Sequence, residues 1–229
     1  MAFGMTPPVA RGYIPPVLGP ILLLLIVSFV ISWLLTAAMV HIAPRIGFVD
    51  RPGHRKIHSN PKPLGGGVAI FWAIALPMLL GVAALWVVEV TPRETTGSTN
   101  QTQTGRFDDF LAIDENRAAL ITGAKQQSTM ALGLVLAALA LHVLGLIDDR
   151  RALGPCLKLV VQLAVIAVFV TLFEVRALTA LDKLGLGTAP SILLTVLWIG
   201  TITNAFNFLD NMDGLSAGVT AICTIAFLI

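Results

Sequence analysis

Residues 17–43 read VLGPILLLLIVSFVISWLLTAAMVHIA, an apolar stretch that contains no Asp, Glu, Lys or Arg. A helix of about 20 apolar residues is long enough to cross the hydrocarbon core of a bilayer. The stretch is too long for a secretory signal peptide and lacks a small-residue cleavage site before its polar flank. We therefore predict that it forms a retained first membrane span.

Four more apolar runs come close to the length of a span, at residues 66–90, 129–147, 156–173 and 191–209. A sixth run starts near Leu215 and is still apolar where the sequence stops at Ile229, so we expect a truncated gene product that ends inside a helix. The pattern predicts an all-α fold. We expect a polytopic transmembrane helical bundle with about six spans, forming one domain over residues 1–229.

The composition also favours a membrane protein. Hydrophobic residues make up 56% and charged residues 12% of the 229 residues. The mean hydropathy is +0.85, and such a mixture is too apolar for a water-soluble domain of this size. The net charge of +2 is small and the basic residues lie in short loops, which argues against nucleic acid as a partner. Cys156 and Cys223 have no CxxC spacing and are interpreted as lipid- or core-facing residues.

The loops between the runs differ in charge. The basic loop, residues 44–65, holds five Lys and Arg residues and one acid, whereas the polar loop, residues 91–128, holds four basic residues and five acids. By the positive-inside rule the basic loop is cytoplasmic and the polar loop is external. Alternation of the spans then places residues 148–155 and 210–215 on the cytoplasmic face.

The segment NAFNFLDNMDGL, residues 204–215, ends a predicted span with a polar side chain at every third position, namely Asn204, Asn207, Asp210 and Asp213. Side chains three residues apart on a helix are neighbours, so Asp210 and Asp213 could reach one ligand. Two carboxylates in the last turn repel each other and oppose the helix dipole, and a bound cation would relieve both effects. The alternative is that Asp213 caps the next helix while Asp210 is solvated. We favour the cation site, since polar groups near lipid are usually functional.

The segment LGLIDDRRALGP, residues 144–155, ends a span in the carboxylate pair Asp148 and Asp149. Adjacent carboxylates suit a hard cation, Mg²⁺ being typical where a diphosphate is also bound. The alternative is a surface turn in which Asp and Arg form ion pairs worth at most about 1 kcal/mol each. Lys158, just inside the next span, adds a cation for an anionic substrate at the same aqueous edge.

The segment GFVDRPGHRKIHSNPKPLGGGVAIF, residues 47–71, combines Lys56, His58 and other basic residues with prolines and a run of three glycines. Glycines before a helix let backbone N–H groups approach phosphate, and the helix dipole favours an anion there. The alternative is that the loop is basic only because it is cytoplasmic. The density of Pro and Gly favours a shaped loop.

In this order, DRPGHRKIHSNPKPLGGG, IDDR and NAFNFLDNMDGLSAG resemble the polyprenyl-phosphate N-acetylhexosamine-1-phosphate transferase family, of the glycosyltransferase family 4 type. The resemblance covers essentially the whole chain. It implies transfer of a phospho-N-acetyl sugar from a UDP-sugar to undecaprenyl phosphate, with release of UMP and a requirement for Mg²⁺ or Mn²⁺. It further implies a cytoplasmic site in the inner membrane of a bacterium and a role in starting cell-envelope polysaccharides. The last segment is closer to the polysaccharide branch than to the peptidoglycan branch, which favours UDP-N-acetylglucosamine.

The resemblance also assigns residues to roles. The catalytic carboxylates are Asp148, Asp149 and Asp210. The metal ligands are Asp210 and Asp213. The substrate-binding residues are Lys56, His58, Asn204 and Asn207, to which the reading of the second segment adds Lys158.

Two departures from the family pattern stand out. Arg150 occupies the place of a third Asp that family members commonly carry. The family's C-terminal spans, a further metal-binding Asp and a His-rich loop are missing, so the resemblance implies that this chain alone is inactive. Two other hypotheses remain, a cation-coupled transporter and an inactive truncated membrane scaffold. A transporter would place its acids near the midplane of broken helices, whereas these acids lie at helix ends.

Overall fold

The computed structural model describes residues 18–50, 61–87, 115–177, 179–184, 187–210 and 214–228. Its elements are α1 (Leu18–Arg45), β1 (Val49–Asp50), β2 (Lys62–Pro63), α2 (Gly66–Val87), α3 (Glu115–Arg150), α4 (Pro155–Leu172), a 3-10 helix (Thr179–Leu184), α5 (Ala189–Leu209) and α6 (Leu215–Leu228). Within these residues, α1 to α5 are long and apolar enough to cross a membrane, and α6 is a shorter apolar helix. The predicted all-α, polytopic membrane fold is confirmed.

Helix α3 is much longer than the predicted run of residues 129–147. It begins at Glu115, so residues 115–128 of the predicted polar loop are helical. This stretch, ENRAALITGAKQQS, is too polar to be recognised as part of a span by its hydropathy. It contains many good helix formers and no proline, which explains why it is helical. The helix also continues to Arg150, which places Asp148 and Asp149 in its last turn and not in a loop.

The chain divides into two compact units, Met1–Gly81 and Val82–Ile229. In the first unit, α1 ends in a left-handed glycine, Gly47, with φ +70°. The N–H groups of Gly47 and Phe48 donate to the carbonyls of Pro44 (3.2 Å) and Ala43 (2.8 Å), the pattern of a Schellman motif. The motif turns the chain into the β1–β2 pair, in which Asp50 lies opposite Lys62.

The second unit holds the helices that carry most of the predicted site. Helix α4 contacts both α3 and α5, and α5 also contacts the 3-10 helix and α6. Small residues allow these helices to approach closely. A Cβ on Gly200 of α5 would lie 2.7 Å from Cδ2 of Leu163 on α4, and a Cβ on Gly133 of α3 would collide with the ring of Phe173 at the end of α4.

Candidate functional site

The carboxylate of Asp148 joins the end of α3 to the start of α4. Its Oδ1 accepts a hydrogen bond of 2.9 Å from the N–H of Leu153, and its Oδ2 accepts one of 2.7 Å from Nζ of Lys158. Pro155 begins α4 after the N-cap Gly154, which brings Lys158 back over the last turn of α3. The side chains of Lys158 and Asp148 are 29% and 22% exposed. The pair is therefore sheltered but still reaches solvent.

Two adjoining cavities of about 150 and 300 Å³ lie between α3, α4 and α5 and share the lining residues Lys158, Asn204 and Asn207. We call them the polar groove. The smaller cavity is also lined by Gln162, and the larger by Asp148. The structure thus brings together four of the residues predicted from the sequence, namely Asp148, Lys158, Asn204 and Asn207.

Asn204 is held at the floor of the polar groove by two hydrogen bonds. Its Nδ2 donates to Oε1 of Gln162 at 3.0 Å and to the backbone carbonyl of Gly200 at 2.8 Å. Gln162 is only 4% exposed. Sequence reasoning missed this residue. A single Gln inside an otherwise apolar span was the available signal, because a lone amide in a membrane span needs a partner.

The other predicted carboxylates lie near the chain turns at the same helix ends. Asp149 is exposed on the last turn of α3. Asp210 is the C-cap of α5, is also exposed, and accepts a hydrogen bond of 3.2 Å at Oδ1 from the hydroxyl of Ser216 at the start of α6. Ser216 is a second residue that sequence reasoning missed.

Three predicted site residues lie outside the described residues: Lys56, His58 and Asp213. In the part of the chain that the structure describes, no three His, Cys, Asp or Glu side chains come together as metal ligands. Mg²⁺ seldom needs three, because it keeps several waters and is held by one or two carboxylates plus substrate phosphates. Asp149 and Asp210 carry hard oxygen donors of the kind that such a site requires, and Asp148 is bonded to Lys158. The donor set therefore fits Mg²⁺ in kind.

A third cavity, of about 590 Å³, continues from the polar groove along the seam between α4 and α5. It shares Pro155, Leu159, Asn204 and Phe208 with the larger cavity of the polar groove. Leu163 and Leu197 extend its apolar lining. We call it the apolar groove. Together the two grooves offer a cation and amides at one end and a hydrocarbon-lined channel at the other, which suits an amphiphile with an anionic head.

Comparison with known proteins agrees with this chemistry. Residues 131–229 match the model of glycosyl transferase family 4. A probable undecaprenyl-phosphate N-acetylglucosaminyl 1-phosphate transferase of Bacillus subtilis is 31% identical over 208 residues, which cover 86% of this chain and 46% of the relative. No solved structure gives a significant match.

Two other relatives mark the breadth of the similarity. The decaprenyl-phosphate N-acetylglucosaminephosphotransferase of Mycobacterium tuberculosis is 30% identical over 202 residues, covering 86% of this chain and 42% of the relative. The phospho-N-acetylmuramoyl-pentapeptide-transferase of Micrococcus luteus is 29% identical over 180 residues, covering 73% of this chain and 44% of the relative. The chain spans less than half the length of each of these relatives.

Proposed function

We propose that the chain acts as a glycosyl transferase of family 4, whose model matches residues 131–229, and that it transfers N-acetylglucosamine 1-phosphate to a polyprenyl phosphate. The proposed donor is UDP-N-acetylglucosamine, the proposed acceptor is undecaprenyl phosphate, and UMP is released. The relatives of B. subtilis and M. tuberculosis are named for transfer of this group to undecaprenyl and decaprenyl phosphate. The proposed product is the first lipid-linked intermediate of a cell-envelope polysaccharide.

The observation that carries the proposal is the continuity of the polar and apolar grooves. A polyprenyl phosphate is a phosphate on a long hydrocarbon chain, and it needs a cation at the membrane surface and an apolar path below it. Lys158 lines the polar groove, while Leu159, Leu163 and Leu197 line the apolar one. An ammonium is a common partner for phosphate. The substrate would lie with its phosphate at Lys158 and its tail along the seam between α4 and α5.

In this reaction we assign tasks to Lys158 and to the carboxylates of the two acidic segments. Lys158 is shared between Asp148 and the incoming phosphate, so it lowers the repulsion between lipid phosphate and the carboxylates. An oxygen of the lipid phosphate attacks the phosphorus that bears the sugar; a new P–O bond forms, the bond to the UMP oxygen breaks, and UMP leaves with the electron pair. Asp149 and Asp210, with Asp213, would hold Mg²⁺, which supplies neutralisation of the diphosphate charge when bound.

The protein is a multi-pass membrane protein, and we propose that the site faces the cytoplasm at the plasma membrane of a bacterium. Helix α1 ends in Arg45. In the loop that follows, Asp50 of β1 lies opposite Lys62 of β2. Alternation of spans along the sequence predicts that the residues following α1, α3 and α5 face the same side of the membrane. The positive-inside rule makes this side cytoplasmic.

The test is an assay for a lipid-linked product. The protein that carries these residues is purified in detergent and supplied with undecaprenyl phosphate, Mg²⁺ and radiolabelled UDP-N-acetylglucosamine. We expect UMP and an organic-extractable labelled lipid in equal amounts. UDP-N-acetylmuramoyl-pentapeptide is the matched alternative donor, because one relative is named for that group. Product from the pentapeptide donor alone would move the chain to the peptidoglycan branch, and no product from either donor would refute the proposal.

A further inference from the structure

A hydrogen bond between Gln162 and Asn204 joins α4 to α5 at the polar groove. The two residues are 42 positions apart in sequence; Gln162 lies near the middle of α4 and Asn204 lies five residues before the end of α5. Neither is ionisable, and the sequence motifs give Gln162 no role. A buried amide in a membrane span is expensive unless it is bonded, and such residues usually serve function.

The orientation of both amides follows from one backbone group. The carbonyl of Gly200 can only accept, so the group of Asn204 that lies 2.8 Å from it must be the NH₂. The second N–H of the same nitrogen then points to Gln162, which must present its oxygen, at 3.0 Å. Both donors of Asn204 are used in this way. Its Oδ1 has no hydrogen-bond partner among the described residues, and Asn204 lines both cavities of the polar groove.

We propose that Gln162 is a positioning residue, which fixes the Asn204 amide with its oxygen toward the polar groove as an acceptor for donor groups of the nucleotide sugar. This inference rests on the proposed function. Phosphate oxygens are acceptors and gain nothing from a second acceptor, whereas hydroxyl and acetamido N–H groups of a nucleotide sugar are donors. Asn204 and Lys158 line the same two cavities. One wall of the polar groove therefore offers a cation for phosphate and a fixed acceptor for the sugar or ribose.

Without Gln162 the Asn204 amide keeps one of its two anchors and can rotate about its last torsion angle. The Gly200 carbonyl still selects the NH₂ group, but rotation moves Oδ1 away from the position that the two hydrogen bonds fix, and a displaced Oδ1 accepts poorly from the donors of the nucleotide sugar. The effect is expected in binding of the nucleotide sugar and not in binding of polyprenyl phosphate. A purely structural Gln162 would instead lower thermal stability and leave both Michaelis constants unchanged.

Three variants separate these possibilities. Gln162→Met keeps the length of the side chain but removes the acceptor, and we expect KM for UDP-N-acetylglucosamine to rise about tenfold while KM for polyprenyl phosphate stays within about twofold. Gln162→Glu keeps an oxygen that can accept from Asn204 and should recover activity to within about threefold of wild type. In an Asn204→Ala background, Gln162→Met should add no further loss, since the group it positions is gone.

Thr195→Val is the matched control. Thr195 is 4% exposed and lies on α5, where its hydroxyl accepts from the N–H of Ala177 at 2.8 Å and donates to the carbonyl of Ser191. The variant removes one hydrogen bond within α5 and one to the loop that follows α4, away from the polar groove. We expect a lower melting temperature with unchanged Michaelis constants. Equal kinetic effects of Gln162→Met and Thr195→Val, or multiplicative losses in the double variant with Asn204→Ala, would overturn the inference.

A second readout does not depend on turnover. In protein labelled with ¹⁵N-asparagine, the side-chain NH₂ of Asn204, assigned by its loss in Asn204→Ala, should show two hydrogen-bonded protons. Gln162→Met should shift one of them upfield, and Gln162→Glu should not. If wild-type protein makes no lipid product, the proposed function fails while this measurement still tests the amide pair. An unchanged NH₂ signal in Gln162→Met would refute the positioning role directly. If Gln162→Met does not accumulate, Gln162→Asn, whose side chain is one methylene shorter, takes its place.

Discussion

The two ends of the α4–α5 helix pair each contain an ion pair and buried polar groups, but they use them differently. At the end opposite the polar groove, Arg176 pairs with Asp182 and also donates to the hydroxyl of Ser191 at 3.3 Å. Ser191 in turn donates to the carbonyl of Thr188, and Thr195 ties α5 to the N–H of Ala177. Apart from Asp182 Oδ1, the buried side-chain nitrogen and oxygen atoms of the described residues all have hydrogen-bond partners.

At the groove end the same kinds of group line a cavity. Lys158 and Asp148 form the ion pair, and Gln162 and Asn204 form the amide contact, yet all four border space that can hold a ligand. We call the bonds among Arg176, Asp182, Ser191 and Thr195 the closed network. It stabilises a loop and the start of a helix. At the groove end the polar groups also bond one another, but they do so beside a cavity. The comparison teaches that similar bonded polar groups differ in what lies next to them, and we propose that those beside the cavity serve the reaction.

The largest expected effect comes from breaking the ion pair at the groove end, with the ion pair at the other end as the control. Lys158→Met removes the cation that we place at the lipid phosphate and leaves the Asp148 carboxylate to repel it, so kcat/KM should fall by about 10²- to 10³-fold. Arg176→Met breaks the corresponding pair with Asp182 at the other end, and there kcat/KM should stay within about threefold of wild type. Steady-state kinetics with polyprenyl phosphate measure both. Equal losses would mean that the two ends do not differ in function.

The next effect sharpens the comparison for the carboxylates. Asp210→Asn should raise the Mg²⁺ concentration needed for half-maximal activity by about tenfold, because the variant withdraws charge from the proposed metal ligand. Ser216→Ala, which removes only the hydrogen bond to Asp210, should shift it less. Asp182→Asn is the control at the opposite end and should leave the Mg²⁺ titration unchanged. Activity that survives full removal of divalent cations by chelation would rule out the metal site.

Much of the fold could be predicted from hydropathy, because apolar runs of span length leave few alternatives in a bilayer. The start of α3 could not, since residues 115–128 are helical through propensity and not through hydrophobicity. The site divides in the same way. Asp148 and Lys158 are ten residues apart, on either side of the turn between α3 and α4. Their positions in the sequence therefore predicted that both lie at the same membrane surface. Gln162 and Asn204 are joined only by packing of α4 against α5, a contact that no local pattern in the sequence records.

A smaller effect tests the apolar groove. Ala205 lines that groove, so Ala205→Leu should fill part of it and raise KM for polyprenyl phosphate by about fivefold, with KM for the nucleotide sugar unchanged. Ala164 is the matched position, since it lines a different apolar cavity of about 470 Å³ between α3 and α4. Ala164→Leu should leave both constants unchanged. If Ala164→Leu alone impaired use of the lipid, the tail would follow the α3–α4 cavity.

The smallest effect on activity is expected from a change that alters packing at the end opposite the polar groove. Gly133 of α3 lies against the ring of Phe173, and a Cβ there would collide with it, whereas a Cβ on Gly123 of the same helix would meet nothing within 4 Å. Gly133→Ala should therefore lower stability by about 1 to 3 kcal/mol, seen as a lower melting temperature in detergent, with kcat/KM unchanged below that temperature. Gly123→Ala should be neutral or stabilising, because it reduces the backbone freedom of the unfolded chain.

Phe173→Leu should restore the stability of Gly133→Ala by making room for the methyl group. Loss of kcat/KM in Gly133→Ala at temperatures where the protein stays folded would show that the two ends are coupled and that the closed network also serves the reaction.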